Sequence, residues 1–184
     1  IYEDIFSKGL SGNVVLLDGQ NLTNHLPLTG FERIEFKLNT PGIAKGFDFT
    51  ATTGHPMYIY KISGRQEATP RTQMYVLHFA SKEILTNETK KIYRSMSGTI
   101  DDMVLNVFRT DLESNKTLIL EETKGIRKYV PVGERPFDFI EGLSKSAESA
   151  RYNNSGMYFY EDSTGFRFRS LENMLAIAGA ARPV

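Results

Sequence analysis

Two adjacent acid pairs, Asp101–Asp102 and Glu121–Glu122, and three histidines, His25, His55 and His78, are the residues of this chain whose types could do chemistry. A carboxylate pair can share acid–base work or hold a divalent cation, and imidazoles add ligands or a base. The spacing speaks against both uses. Adjacent residues on a helix point about 100° apart, so Asp101 and Asp102 do not converge on one ligand, and helix capping explains them. Adjacent residues on a strand alternate faces, so at most one of Glu121 and Glu122 is buried, and a solvated edge is the expectation. The histidines are scattered. His55 falls in a Thr-Gly-His-Pro turn and His78 in an apolar strand, which makes structural roles the expectation for both. No glycine-rich phosphate loop, nucleophile elbow or HExxH pattern occurs. The expectation is a protein that is not an enzyme, with no catalytic, cofactor-binding or metal-ligating residue and no cofactor.

The aromatic run near the C-terminus is the remaining candidate. Tyr158, Phe159, Tyr160, Phe166 and Phe168 could stack on bases or sugars, which needs them exposed on one face and ringed by cations. Arg167 and Arg169 alternate with Phe166 and Phe168, which is ordinary strand amphipathicity, so the aromatics are expected to build a core against a helix. A free-standing module gripping a peptide or glycan, through this hairpin or the polar stretch Arg65–Gln73, is the alternative. A hydrolase using the scattered acids is the third reading.

The elements that must position these residues follow from periodicity. The chain has 184 residues, 40% of them hydrophobic and 11% aromatic, enough to bury a modest core in one or two domains. Strands are predicted at Asn13–Asp18, Phe31–Leu38, Phe47–Thr50, Met57–Ile62, Met74–Ala80 and Thr89–Arg94, with Arg65–Gln73 as a loop. A helix is predicted near 99–112. Thr99 and Asp102 form its capping box, and Ile100, Met103, Val104, Val107 and Phe108 lie on one face. A strand at Thr117–Glu122 and the extended Ile126–Val132 lead to a second helix near 136–151, opened by Pro136. Phe139, Ile140, Leu143, Ala147 and Ala150 sit at helical spacing on it. Met157–Tyr160 and Phe166–Ser170 then pair across the five-residue turn Glu161–Gly165.

The fold class is therefore α+β: an N-terminal β-barrel over 1–96, then a small α+β domain of two helices and a hairpin over 97–172, with the boundary at Ser97-Gly98. Residues 173–184 read as the start of a further element, since Leu175, Ala176, Ile177 and Ala178 are apolar. With an Ile start and that ending, the sequence is expected to be part of a longer product. No window approaches the roughly 18 apolar residues of a membrane-spanning helix. Cysteine is absent, which excludes a disulfide scaffold and a thiolate metal site. Twenty-two basic residues balance 22 acidic ones, and a protein that grips nucleic acid carries a basic surplus instead.

Two blocks carry a resemblance. YVLHFASKEILTNETKKIYRSMSGTIDDMVLNVFRTDL at 75–112 reads as strand, short turn, basic strand, Ser-Gly break and capped helix. RKYVPVGERPFDFIEGLSKSAESARYNNSGMYFYEDSTGFRFRSL at 127–171 reads as strand, acidic-capped aromatic helix (Arg135-Pro136-Phe137-Asp138-Phe139) and a glycine-aromatic hairpin with an acidic turn. In this order they resemble the hub of the phage tail baseplate, the family of myovirus hub proteins and related spike proteins of type VI secretion, a contractile injection system. The resemblance implies that 1–96 is a tube-type barrel domain and 97–172 the α+β domain that follows it. A second tube domain, present in that family, has no counterpart in these residues. It also implies a virion structural protein, made in the host cytoplasm, that trimerises when full length. Its partners are other copies of itself, the tail tube and the central spike. DNA only passes through, and no membrane is involved.

Overall fold

The structure, a computed structural model, describes residues 1–20, 22, 32–39, 41–42, 46–53, 55–70, 72–152 and 155–180. Phe31 and His25 lie outside the described residues.

Alternating side chains build the N-terminal half into strands β1 (Ser11–Asp18), β2 (Arg33–Ile34), β3 (Phe36–Leu38), β4 (Phe47–Phe49), β5 (Met57–Thr69) and β6 (Thr72–Ser81). Four of them form an antiparallel sheet in the order β1-β6-β5-β2, while β3 and β4 pair as a separate ribbon. The β5–β6 register slips at Ile59/Lys61, Ser63/Gln66 and Glu67/Thr69. Such irregularities bend and twist a strand pair, and the sheet is curled into a half-barrel. Leu10, Phe49, Met57, Ile59, Tyr75, Leu77 and Phe79 are buried against it as one core.

The expected loop at Arg65–Gln73 is not a loop. β5 runs on to Thr69 and β6 resumes at Thr72, so the polar stretch is the tip of a long hairpin. Residues 64–70 are exposed, and with both faces wet the alternation that marks a strand never appears. Arg65 Nε donates to Gln73 Oε1 across the pair at 2.9 Å.

The strand expected at Thr89–Arg94 does not form. Helix α1 spans Lys82–Thr89, and beyond it only Ile92 makes an isolated bridge, to Glu134. The buried face of α1 is polar, Glu83 and Asn87 one turn apart, so an apolar 3.6-residue period is not there to be read. Asn87 Oδ1 accepts the Phe137 N–H at 2.8 Å and so satisfies a free amide at the start of a later helix.

The remaining elements are β7 (Met96–Gly98), α2 (Ile100–Thr110), β8 (Leu118–Leu120), β9 (Arg127–Tyr129), α3 (Pro136–Ser146), β10 (Met157–Asp162), β11 (Gly165–Ser170) and α4 (Leu171–Ala180). β10 and β11 pair antiparallel, β11 pairs in parallel with β8, and β7 pairs with β9. The α2 face is the predicted one: Ile100, Met103, Val104, Val107 and Phe108 are all buried. Phe139, Ile140 and Leu143 of α3 join them with Phe159, Phe166 and Phe168 in a second core. That core begins at Ile92 and receives Ile84 of α1 at its edge.

α3 stops at Ser146, short of the expected 151, because the chain turns extended at Ala147 and bridges Thr123 and Ser155 through Ser149 and Glu148. The hairpin turn is also tighter than expected. Asp162 pairs with Gly165, leaving two connecting residues in place of five. Gly165 has φ +137°, and a Cβ there would lie 2.5 Å from the Thr117 carbonyl oxygen, so only glycine lets β11 approach the residue that leads into β8.

Candidate functional site

Charged side chains are expensive to bury, so a buried cluster of them must be held by several elements at once. This chain has one. Glu83 in the first turn of α1, Lys116 before β8 and Glu161 near the end of β10 meet with side chains 3%, 5% and 1% exposed. Lys116 Nζ donates to Glu83 Oε2 at 2.8 Å and to Glu161 Oε1 at 2.6 Å. Ser114 Oγ donates to Glu83 Oε1 at 2.5 Å, and the Leu10 amide donates to Glu161 Oε2 at 2.8 Å. Burial works against the Lys116 ammonium, but the charges of Glu161 and Glu83 outweigh it and hold its pKa above the ordinary lysine value. Burial pushes the Glu161 carboxyl up, against the pull of Lys116 and with the Glu83 charge adding to the rise.

Two carboxylates that flank one point can do acid–base work when substrate or water stands between them. Here an ammonium stands between them, and none of the three side chains is open to solvent. His55 lies within electrostatic reach. Its half-buried position and the Lys116 charge hold it below the usual imidazole value, against the charges of Glu83 and Asp162. Sequence periodicity could not assemble this cluster, because its members are 33 and 45 residues apart along the chain.

The acid pairs singled out from sequence are divided by the fold. Asp101 Oδ1 accepts the Thr123 hydroxyl at 2.6 Å, while Asp102 is exposed. The capping box is corrected as well. Thr99 makes no side-chain cap, and Thr123 Oγ1 accepts the Ile100 and Asp101 amides in its place, at 3.0 and 3.2 Å. Glu121 is buried, not at a solvated edge. It takes hydrogen bonds from Ser149 Oγ at 2.5 Å, the Ser170 amide at 2.8 Å and Ser170 Oγ. Glu122 points outward. His78 Nε2 and Ser63 Oγ lie 2.7 Å apart on the sheet, a structural contact. No group of three or more potential metal-ligating side chains comes together among the described residues.

The aromatic hairpin divides by face. Phe159, Phe166 and Phe168 are buried, whereas Tyr158 and Tyr160 are half-exposed on the opposite side. Phe6, from the arm that precedes β1, meets the Tyr158 ring edge-on at 5.8 Å. Beside them a groove of about 540 Å³ opens between the arm, α3 and β10, lined by Phe6, Lys8, Phe137, Lys145 and Met157. Glu141 crosses its rim, bonded to Lys8 at 2.5 Å and to Lys145 at 2.9 Å. No helix among the described residues is long and apolar enough to cross a membrane.

Neither a family model nor a curated protein matches this chain.

Proposed function

We propose that this chain is a structural component of a phage tail baseplate hub, joining the tail tube to the central spike and lining the passage taken by DNA. The observation that carries the reading is the ordered pair of blocks at 75–112 and 127–171, whose content and spacing resemble that family. The architecture is compatible with it, since a curled antiparallel sheet leads through α1 into a compact α+β unit. On this reading the curled sheet is the wall of a tube-type barrel, with β1 and β2 at its edges among the described strands. The equal numbers of basic and acidic residues suit a wall over which DNA slides, because strong phosphate binding would arrest it. The acids give no support to a hydrolase: the buried carboxylates of Glu83, Glu121 and Glu161 already spend their oxygens on Lys116, Ser114, Ser149, Ser170 and the Leu10 amide.

In the virion the protein acts as a homotrimer formed by the full-length product, after synthesis in the host cytoplasm. A closed cyclic arrangement satisfies every head-to-tail face, which is the physical reason to expect a ring. Light scattering on the complete gene product tests this. A trimer is the expected result, and a monomer at high concentration would overturn the hub reading.

The groove beside Phe6 and Tyr158 favours a second reading, a ligand-binding module for a peptide or glycan. Saturable binding there by a monomeric full-length protein would establish it in place of the hub.

A further inference from the structure

Two cores share one seam in this molecule, and the seam is charged. Leu10 and β6 belong to the core under the curled sheet, while Phe166, one residue past the hairpin turn that follows Glu161, belongs to the other. The Leu10 amide donates to Glu161, and Ser81 at the end of β6 donates its amide to the Leu10 carbonyl at 2.9 Å. Glu83 follows two residues later on α1, and Lys116 ties it to Glu161. The same few atoms therefore join the first strand, the end of β6, the loop before β8 and the end of β10.

Buried ion clusters offset their desolvation only when nearly every lone pair and proton is used. Towards that end, each of the four carboxylate oxygens of Glu83 and Glu161 accepts a hydrogen bond, and two of the three Lys116 protons are used. The backbone is closely packed at this point. A Cβ on Gly9 would stand 2.7 Å from the Ile84 side chain, so the chain beside Leu10 is pressed onto α1. The exposed contacts across the seam are weaker. The Lys8–Glu141 pair is 29% and 44% exposed, and exposed pairs contribute little. Phe6, on Tyr158, is 73% exposed.

We propose that the Glu83–Lys116–Glu161 cluster is a clasp that couples the curled sheet to the α+β unit, so that the two open and close as one cooperative body. Apolar side chains could fill the same space, but they would not tie three distant segments to one point in one register.

Hydrogen exchange followed by mass spectrometry under native conditions tests the clasp. In the unaltered protein, the slowest amides of β6 and of β11 exchange at matching rates, as members of one opening unit do. With Lys116→Met, the amides of Leu10, β1 and β6 are expected to exchange at least about tenfold faster than those of α2 and β11, as separate opening units do. Lys8→Ala, which removes only the exposed pair, leaves the two sets matched. Equal acceleration of both sets by Lys116→Met, or none in either, would overturn the clasp. Should that variant fail to fold, Glu161→Gln keeps the side-chain volume and an acceptor while removing the charge. The same split between the two sets is then the supporting result, and its absence the overturning one.

Discussion

A buried carboxylate is worth as much as the donors that surround it. Glu121 gathers two hydroxyls and a backbone amide, from Ser149 and Ser170, at a point where three segments meet. Removing it leaves those donors without a partner, so Glu121→Ala is expected to lower stability by about 3 kcal/mol. Glu122→Ala, one residue away and exposed, should stay within about 0.5 kcal/mol. Urea unfolding of both variants checks the contrast, and equal losses would show that Glu121 is not the anchor. Glu141 behaves differently. Hydrogen bonds from Lys8 and then Lys145, backed by their charges, lower its carboxyl pKa to about 2. A depressed folded-state value adds stability above the ordinary carboxylate range, and that stability is lost as pH falls from about 4.5 to about 2. Because the group is solvent-exposed, the effect on stability is small. The test is a carbon-detected NMR titration, in which Lys8→Met should move the Glu141 midpoint back towards the ordinary range.

At the scale of elements, helix ends in this protein are satisfied from far along the chain. α2 begins at Ile100, and its first amides are met by Thr123, not by Thr99. α3 begins at Pro136, and Asn87 of α1 meets the amide of Phe137. Such caps join secondary structure to tertiary structure, since the helix end forms fully only once a distant segment has docked. Thr123→Val keeps the shape and removes the acceptor, so it should cost about 1 kcal/mol, the usual worth of a cap, while Thr99→Ala costs almost nothing. Chemical denaturation of the two variants separates the cases. A loss confined to Thr99→Ala would return the cap to the local box that the sequence suggests.

For the molecule as a whole, charge decides how strongly a nucleic acid could be held. Its 22 basic and 22 acidic residues cancel, and much of the basic surface is already engaged by acids, as in Arg94–Asp111, Lys90–Glu113, Arg135–Glu88 and Arg167–Asp162. Counterion release from DNA needs free cations. Duplex affinity is therefore expected to be weak and to vanish as salt is raised from about 50 to 200 mM, where contacts of this kind fade. Fluorescence anisotropy with a labelled duplex measures it, and submicromolar binding at physiological salt would contradict a wall that DNA only passes.

The local and periodic features were legible in the sequence. An apolar face repeated every 3.6 residues places α2 and α3, short apolar runs place β1 and β6, and alternation places the aromatic hairpin, because burial leaves each of these patterns along the chain. The mixed α+β class follows from those elements. What lay beyond it were features whose partners are remote. α1 hides behind a polar buried face, because Glu83 and Asn87 are apt for the interior only when Lys116, Ser114 and Phe137 arrive to meet them. The hairpin tip through Arg65–Gln73 carries no alternation, because water bathes both its sides. Glu121 reads as surface until Ser149 and Ser170 close around it. Apolar burial leaves a period along the chain that any window can detect. Buried polar groups leave none, since their stability comes from hydrogen bonds that exist only once the tertiary structure has brought both partners together.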